Sequence, residues 1–430
     1  MSQGKHTEII APSMKGHAVK LFNMSPEPVD YYWVDTQGTP MNMGRCAAFH
    51  STGTASFAGH QFFFAPTNYE QSKVILQHFT IDKHGIENLY YYDPITVDGN
   101  QQLTTENLSK LTMKQLEMYN KMLRNRKFAG EYKKTTGRDY MSLYPRKKPK
   151  HFLYPADHFG QEFWVTTKQT QFKEVPTKKL SKIREAALDR VLKDDDPVPF
   201  TEYRDQNELL NMTLKVISVR PRAYEINNFL SQSEVDHIIS TAKKSNMQLS
   251  TTGSGNVHTE SKTKTRTSKN TWVGRETDQV FDTLYRRAAD LLRIDEALFR
   301  QRDSSERPDF PTNGAIAEQL QLVHYNKRQE YTAHHDFGYA PIDSPHQEAR
   351  FATLLLYLNE PEAGGETEFP RWINGETSDG LLVTPKIGKA ALFYSFLPDG
   401  NMDDLSHHSA NPIEKGEKYL INLWVREPIF

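Results

Sequence analysis

The chain has 430 residues, with 53 Lys and Arg against 54 Asp and Glu, a formal net charge of −1. That length implies two or three domains, and 37% hydrophobic with 25% charged residues is enough apolar material for packed cores. The single cysteine, Cys46, excludes an intrachain disulfide, a cysteine-based zinc finger and an iron–sulfur cluster, and the near-zero balance indicates neither a nucleic-acid nor a membrane partner.

The opening Met1-Ser-Gln-Gly-Lys-His-Thr-Glu8 has no apolar core of a signal peptide, and no stretch approaches the ~20 apolar residues of a membrane span. With the lone cysteine, this predicts a cytoplasmic or nuclear protein; an N-terminal segment trimmed away would admit the secretory pathway instead. Residues from about 15 to 105 alternate aromatic and β-branched runs with turns. Asp35-Thr-Gln-Gly38 and Thr52-Gly-Thr54 read as turns, and Gln61-Phe-Phe-Phe64, Lys73-Val-Ile-Leu76 and Leu89-Tyr-Tyr-Tyr92 as short strands. A small β-sandwich over residues 1–105 is the expectation.

Residues 106–204 differ in character. Between 110 and 150 there are 13 Lys and Arg against 3 Asp and Glu, so this stretch carries +10 and the rest of the chain −11. Met113, Leu116, Tyr119 and Leu123 fit one helical face, and Leu180, Ile183, Ala187, Leu188 and Val191 fit another that stops at Lys193-Asp-Asp-Asp-Pro197. Pro145-Arg-Lys-Lys-Pro-Lys150 could mark nuclear import or a polyanion patch; it is read here as a solvated loop inside a basic, partly helical linker.

A third unit is expected from 205 to 430. Ser231-Gln-Ser-Glu234 is a capping box ahead of Val235, Ile238, Ile239 and Ala242 on one helix face, and Val280, Phe281, Leu284, Ala288, Leu291 and Leu292 form a second. Between them, residues 250–270 read as a loop rich in Ser, Thr, Gly and Lys. From 319 onward strands dominate, at Leu320–Tyr325, Ala352–Leu358, Ala390–Phe396 and Tyr419–Val425.

The chemistry concentrates in this last unit. In His334-His335-Asp336 the residues two apart, His334 and Asp336, share a strand face and can converge on one point. Ser406-His-His-Ser-Ala-Asn-Pro412 offers a third ligand, and two histidines with one carboxylate form the facial triad of non-haem Fe(II) oxygenases. A His-x-Asp pair alone arises by chance in a chain with 16 histidines, so its surroundings decide. Gly364-Gly-Glu-Thr-Glu-Phe-Pro370 is a tight turn entering a strand. Lys418, ten residues past His408, interrupts an apolar strand, a costly placement unless a counter-anion pairs it; the even offset suggests that the two face the same way.

These motifs strongly resemble the prolyl 4-hydroxylase family of Fe(II)/2-oxoglutarate dioxygenases over residues 215–430. The similarity runs through Pro221-Arg-Ala-Tyr-Glu-Ile-Asn-Asn-Phe-Leu-Ser231, Arg266-Thr-Ser268 with Trp272, Tyr325-Asn-Lys-Arg-Gln-Glu-Tyr331, Arg350-Phe-Ala-Thr-Leu-Leu-Leu-Tyr-Leu-Asn359, the Gly-Gly-Glu-Thr segment, His408 and Lys418. The resemblance implies a double-stranded β-helix, or jelly roll, flanked by helices. It implies His334, Asp336 and His408 as iron ligands, with the family spacing His-x-x-x-Pro selecting His408 over His407. Lys418 would pair the distal carboxylate of 2-oxoglutarate, in the manner of the collagen-type branch, and Tyr325, Thr353 and Tyr357 would surround the co-substrate; Trp424 is taken as core. The implied activity is hydroxylation at C4 of peptidyl proline with Fe(II), 2-oxoglutarate and L-ascorbate, yielding succinate and CO2. The partner would be a proline-containing peptide or protein, and the 250–270 loop a lid over it. Arg328 and Asn270 stand where the family has glycine, which leaves the substrate open and admits the same oxygenase chemistry on a different substrate.

The N-terminal segment, over about 20–85, resembles the von Hippel–Lindau β domain through Asn23-Met-Ser-Pro26, Trp33-Val-Asp-Thr-Gln-Gly38 and Thr54-Ala-Ser-Phe-Ala-Gly-His-Gln-Phe62. This implies a hydroxyproline pocket of Trp33, Ser56 and His60, with Phe62 where that domain has a second Trp. A hydroxyproline-binding adaptor with an accessory oxygenase is then the alternative to an enzyme.

Overall fold

The computed structural model describes residues 16–82, 87–97, 102–103, 108–173, 208–250, 266–309, 312–338, 341–343, 349–372 and 380–427. The helix expected at 180–191 and residues 251–265 of the expected lid lie outside them.

The N-terminal part is built from β1 (His17–Asn23), β2 (Val29–Val34), β3 (Pro40–Cys46), β4 (His50–Ser56), β5 (Gln61–Pro66), β6 (Gln77–Thr80) and β7 (Leu89–Tyr92). They form two sheets, in the orders β4-β1-β7 and β3-β2-β5-β6. Val19 and Leu21 of one sheet pack on Val29, Tyr31, Phe62 and Phe64 of the other, which makes the sandwich core. Strand β1 is buried on both faces. Its alternate residues Ala18, Lys20 and Phe22 point away from the sandwich, Ala18 into the main core of the C-terminal half and Phe22 against the following helix.

That helix, α1 (Met113–Thr136), opens with a capping box in which Thr112 and Gln115 exchange hydrogen bonds. Its buried stripe is Tyr119, Met122, Asn125 and Ala129. Met113 is 82% exposed, contrary to its expected place on the apolar face, because at 3.6 residues per turn it falls on the side of the helix opposite this stripe. The basic segment is also more than a linker: β8 (Glu162–Thr167) pairs antiparallel with β9 (Leu210–Ser218) and extends the sheet of the C-terminal unit.

That sheet has nine strands. After β8 and β9 come β10 (Ala223–Asn227), β11 (Gln248–Leu249), β12 (Lys269–Val273), β13 (Leu320–Tyr325), β15 (Arg350–Tyr357), β18 (Ala390–Tyr394) and β20 (Lys418–Arg426). Their spatial order is β8-β9-β10-β18-β15-β20-β13-β12-β11. A second sheet holds β14 (Tyr331–His334), β16 (Thr367–Phe369), β17 (Leu381–Val383) and β19 (His408–Ala410) in the order β14-β19-β16-β17. The two sheets face each other as a jelly roll.

Helices α2 (Gln232–Lys244) and α3 (Gln279–Leu292) cover the outer face of the large sheet. The Ser231–Glu234 capping box starts α2, and Asp278 caps α3 through the N–H groups of Val280 and Phe281. Fully buried Arg287 of α3 binds both carboxylate oxygens of buried Glu234 at 2.8 and 3.0 Å. Side-chain alternation sorts the strands. Leu354 and Leu356, Ile421 and Leu423 face the helices, whereas Leu355, Tyr357 and Leu420 face the interior between the sheets. Among the described residues no helix is long and apolar enough to cross a membrane.

Candidate metal centre

Three side chains meet at one end of that interior. One nitrogen each from His334 and His408 and one oxygen from Asp336 lie within 4.8 Å of one another. His334 closes β14 and Asp336 follows it in a bend, so the pair converges across a strand end rather than along one strand; His334 stands opposite His408 in the β14–β19 pairing. His334 Nε2 is 3.6 Å from Asp336 Oδ1, and His408 Nε2 is 3.6 Å from Oδ2.

The supporting contacts fix the chemistry of these atoms. His334 Nδ1 lies 2.9 Å from the Thr332 carbonyl, and His408 Nδ1 2.9 Å from the Ser406 carbonyl. A carbonyl only accepts, so each Nδ1 carries a proton, which leaves each Nε2 as the nitrogen that faces the triad. Burial pushes the His408 imidazole down to about 4, which keeps it neutral and able to ligate. Burial alone would raise the Asp336 carboxyl, but the facing His408 and His334 rings hold it well below the usual range. Asp336 Oδ2 also accepts from Thr353 Oγ1 at 2.7 Å and from Trp424 Nε1 at 3.0 Å. Two imidazoles and an ionised carboxylate, each held from behind, suit a divalent iron. Tyr331 stacks on His334 with ring centroids 3.7 Å apart.

Lys418 approaches from the opposite sheet. The single-strand parity argument for it and His408 therefore fails: β19 belongs to the small sheet and β20 to the large one, and the two face each other across the interior. Lys418 is fully buried; its ammonium donates to the Gly365 carbonyl at 2.5 Å and lies 5.8 and 5.6 Å from the Tyr325 and Tyr357 ring centroids. Burial lowers it to about 7. An ammonium in such a place accepts an anionic ligand readily, and a carboxylate reaching past the triad would pair it.

The other sequence-derived residues fall into distinct places. Tyr325 lines the cavity in front of the triad, with Thr367, Asn422 and Trp424. Tyr357 does not; its hydroxyl donates to Thr367 Oγ1 at 2.9 Å. Thr353 stands behind Asp336. Trp424, read from the sequence as core, both lines the cavity and donates to Asp336, and Arg350 lies 3.7 Å over its ring while pairing with Glu318. The even spacing of Lys418, Leu420, Asn422 and Trp424 along one strand was the available signal for that inward position. His407 lies outside the triad, its ring tilted against that of His335 with centroids 4.6 Å apart.

In the sandwich, Ser56 Oγ lies 3.2 Å from His60 Nδ1, and the Trp33 and His60 ring centroids are 5.3 Å apart. Phe62 is 2% exposed and stacks on Phe79 in the core, so it does not share their surface; half-exposed Phe57, 5.4 Å from His60, does.

A family model described as the 2OG-Fe(II) oxygenase superfamily matches residues 320–426. The chain is 33% identical over 224 residues to a probable prolyl 4-hydroxylase 3 of Arabidopsis thaliana, covering 49% of this chain and 71% of that protein. It is 34% identical over 226 residues to a probable prolyl 4-hydroxylase 8 of the same plant, covering 49% and 70%. Among solved structures, the viral collagen prolyl hydroxylase of Paramecium Bursaria Chlorella virus-1, as its 2OG complex, is similar at 24% identity with a TM-score of 0.34, over 47% of this chain and 95% of that one.

Proposed function

The chain belongs to the prolyl 4-hydroxylase family of 2-oxoglutarate-dependent Fe(II) dioxygenases, and on that premise we propose that it hydroxylates C4 of proline within a peptide or protein. His334, Asp336 and His408 would hold the iron and Lys418 the distal carboxylate of 2-oxoglutarate. Bound together, iron and 2-oxoglutarate supply the oxidising chemistry, consuming O2 and releasing succinate and CO2.

The protein's part is placement. The Thr332 and Ser406 carbonyls set the two imidazole tautomers, Thr353 and Trp424 orient the Asp336 carboxylate, and Tyr331 fixes the His334 ring by stacking. The apolar lining from Leu355 and Leu420 would exclude water around the co-substrate. Ascorbate belongs to this proposal through the family, as the reductant that restores iron after uncoupled turnover. The carrying observation is Lys418, a buried ammonium across the same interior from two imidazoles and a carboxylate. Proline-rich peptides incubated with the protein, Fe(II), 2-oxoglutarate and ascorbate should gain one oxygen on proline, with matching succinate; His334→Ala should give neither. Succinate without an oxidised peptide would point to a different substrate.

A second reading rests on Trp33, whose indole nitrogen is buried without an acceptor beside His60 and Ser56. We propose that this corner of the sandwich takes a hydroxylated ring, so that the chain would bind its own product. The full chain should then bind a hydroxyproline peptide more tightly than its proline twin, and Ser56→Ala should remove the difference; equal affinities would sink this reading.

A further inference from the structure

Both segments that carry the triad are gripped from outside the jelly roll, by residues of the N-terminal half. Shortly beyond Asp336, the Asp343 carboxylate receives the Lys20 ammonium at 2.7 Å, the Ser51 hydroxyl, and the Leu143 backbone N–H at 2.6 Å. The adjoining Ile342 carbonyl accepts from Ser142 Oγ at 2.5 Å and from Arg146 at 2.8 Å. Shortly before His408, the Asn401 side chain accepts from the Met141 N–H at 3.0 Å and donates to the Asp139 carbonyl at 2.9 Å and the Tyr132 hydroxyl at 3.3 Å. Tyr132 in turn donates to Asp399 at 2.7 Å. The two segments are also tied to each other, His335 Nε2 lying 2.9 Å from the Asp404 carbonyl.

The Lys20–Asp343 pair is fully buried, with side-chain exposures of 0% and 1%. Such pairs contribute little net stability over an apolar pair of the same shape, and their best-attested use is to specify one arrangement. Here the arrangement specified is that of β1 and β4 against the ligand-bearing segment.

We propose that the N-terminal half is a positioning arm of the metal centre: Lys20 acting through Asp343, and Asn401 acting on the other segment, hold His334, Asp336 and His408 at the spacing that the metal requires. None of these residues touches a reacting atom; they are positioning residues, and the proposal rests on the metal-centre reading above. The test is calorimetric titration of the full chain with Co(II), alongside thermal melting of the metal-free protein. Lys20→Met and Asn401→Ala should each weaken Co(II) binding roughly tenfold, the lower end of what remote support of ligands is worth. A role in folding alone would lower the metal-free melting midpoint and leave the affinity of the folded protein unmoved, which would overturn the proposal. The double variant Lys20→Met/Asp343→Asn removes both charges while its amide still answers Ser51 and Leu143; it should melt above Lys20→Met while still binding Co(II) weakly, and wild-type affinity there would also overturn the proposal. Should Lys20→Met fail to fold, Tyr132→Phe, which removes one hydroxyl from a half-buried ring, decides with an expected loss of about threefold. A wild type that binds no more Co(II) than His334→Ala would instead defeat the metal-centre reading itself.

Discussion

The Trp424 indole N–H donates to Asp336 Oδ2 at 3.0 Å, across 88 residues of sequence. The same oxygen accepts from Thr353 at 2.7 Å, so the carboxylate of the triad is fixed by two donors from neighbouring strands of the large sheet. Trp424→Phe keeps the ring and removes one donor; Thr353→Val keeps the shape and removes the other. Each variant should weaken metal binding by about tenfold to a hundredfold, the usual effect of losing a hydrogen-bond partner behind a ligand. Metal titration checks it, and unchanged affinity in both variants would separate these donors from the metal.

Lys418 should make 2-oxoglutarate binding depend on pH. Its ordinary value of 10.5 is pushed down to about 7 by burial. Below about pH 7 the ammonium is present before the co-substrate arrives; above it, binding must take up a proton, and affinity should fall as pH rises. Between about 7 and 10.5 the unfolded chain holds this proton and the folded one does not, so this group's contribution to stability rises with pH through that window and is least favourable below it. Lys418→Met should remove both trends, leave the co-substrate-free protein at least as stable, and weaken 2-oxoglutarate binding about a hundredfold. Binding isotherms and melts across pH check both.

Arg328 stands where the resembling family has glycine, and its backbone sits in the left-handed region at φ +67° while its N–H bonds the Ile413 carbonyl at 2.8 Å. A side chain there is strained by about 1 kcal/mol. Arg328→Gly should stabilise the protein by up to about 0.5 kcal/mol, most of the lost strain being offset by the freer unfolded chain. Denaturant melts read the change.

Arg287 and Glu234 tie α3 to α2 at complete burial, and the guanidinium also donates to the Phe229, Gln169 and Thr170 carbonyls. Arg287→Ala leaves a buried carboxylate without its counter-charge and removes a donor from three carbonyls, and should cost about 3–5 kcal/mol of stability. Because the pair lies on the helical side of the large sheet, the metal affinity of the folded protein should stay unchanged. Denaturant unfolding and metal titration of the same sample separate the two.

The sequence carried the jelly-roll strands well, because apolar runs such as Phe351-Ala-Thr-Leu-Leu-Leu-Tyr357 are buried on both faces, and it carried the His-x-Asp and the downstream histidines as motifs; Lys418 was legible as a lysine in an apolar strand, whereas its parity with His408 was not a valid guide. The contacts made by Trp424 and Thr353 were not legible: each joins Asp336 from a different strand, and no local period records which inward residue meets which. Strand β8 was missed for a related reason. Glu-Phe-Trp-Val-Thr-Thr is a single short run lying 43 residues before its partner β9 begins, and its place is set by pairing with β9. The grip of Lys20 on Asp343 spans 323 residues, and only β1's double burial, visible in three dimensions, shows why a lysine sits in that apolar run.

The most direct test of the central claim is the fate of isotopically labelled O2 supplied to the protein with Fe(II), 2-oxoglutarate and a proline-rich peptide. Hydroxylation at this centre predicts one labelled oxygen on the peptide proline and the other in succinate, both abolished by His408→Ala. Label absent from both products in the wild type, or retained on the peptide in the His408→Ala variant, would contradict it.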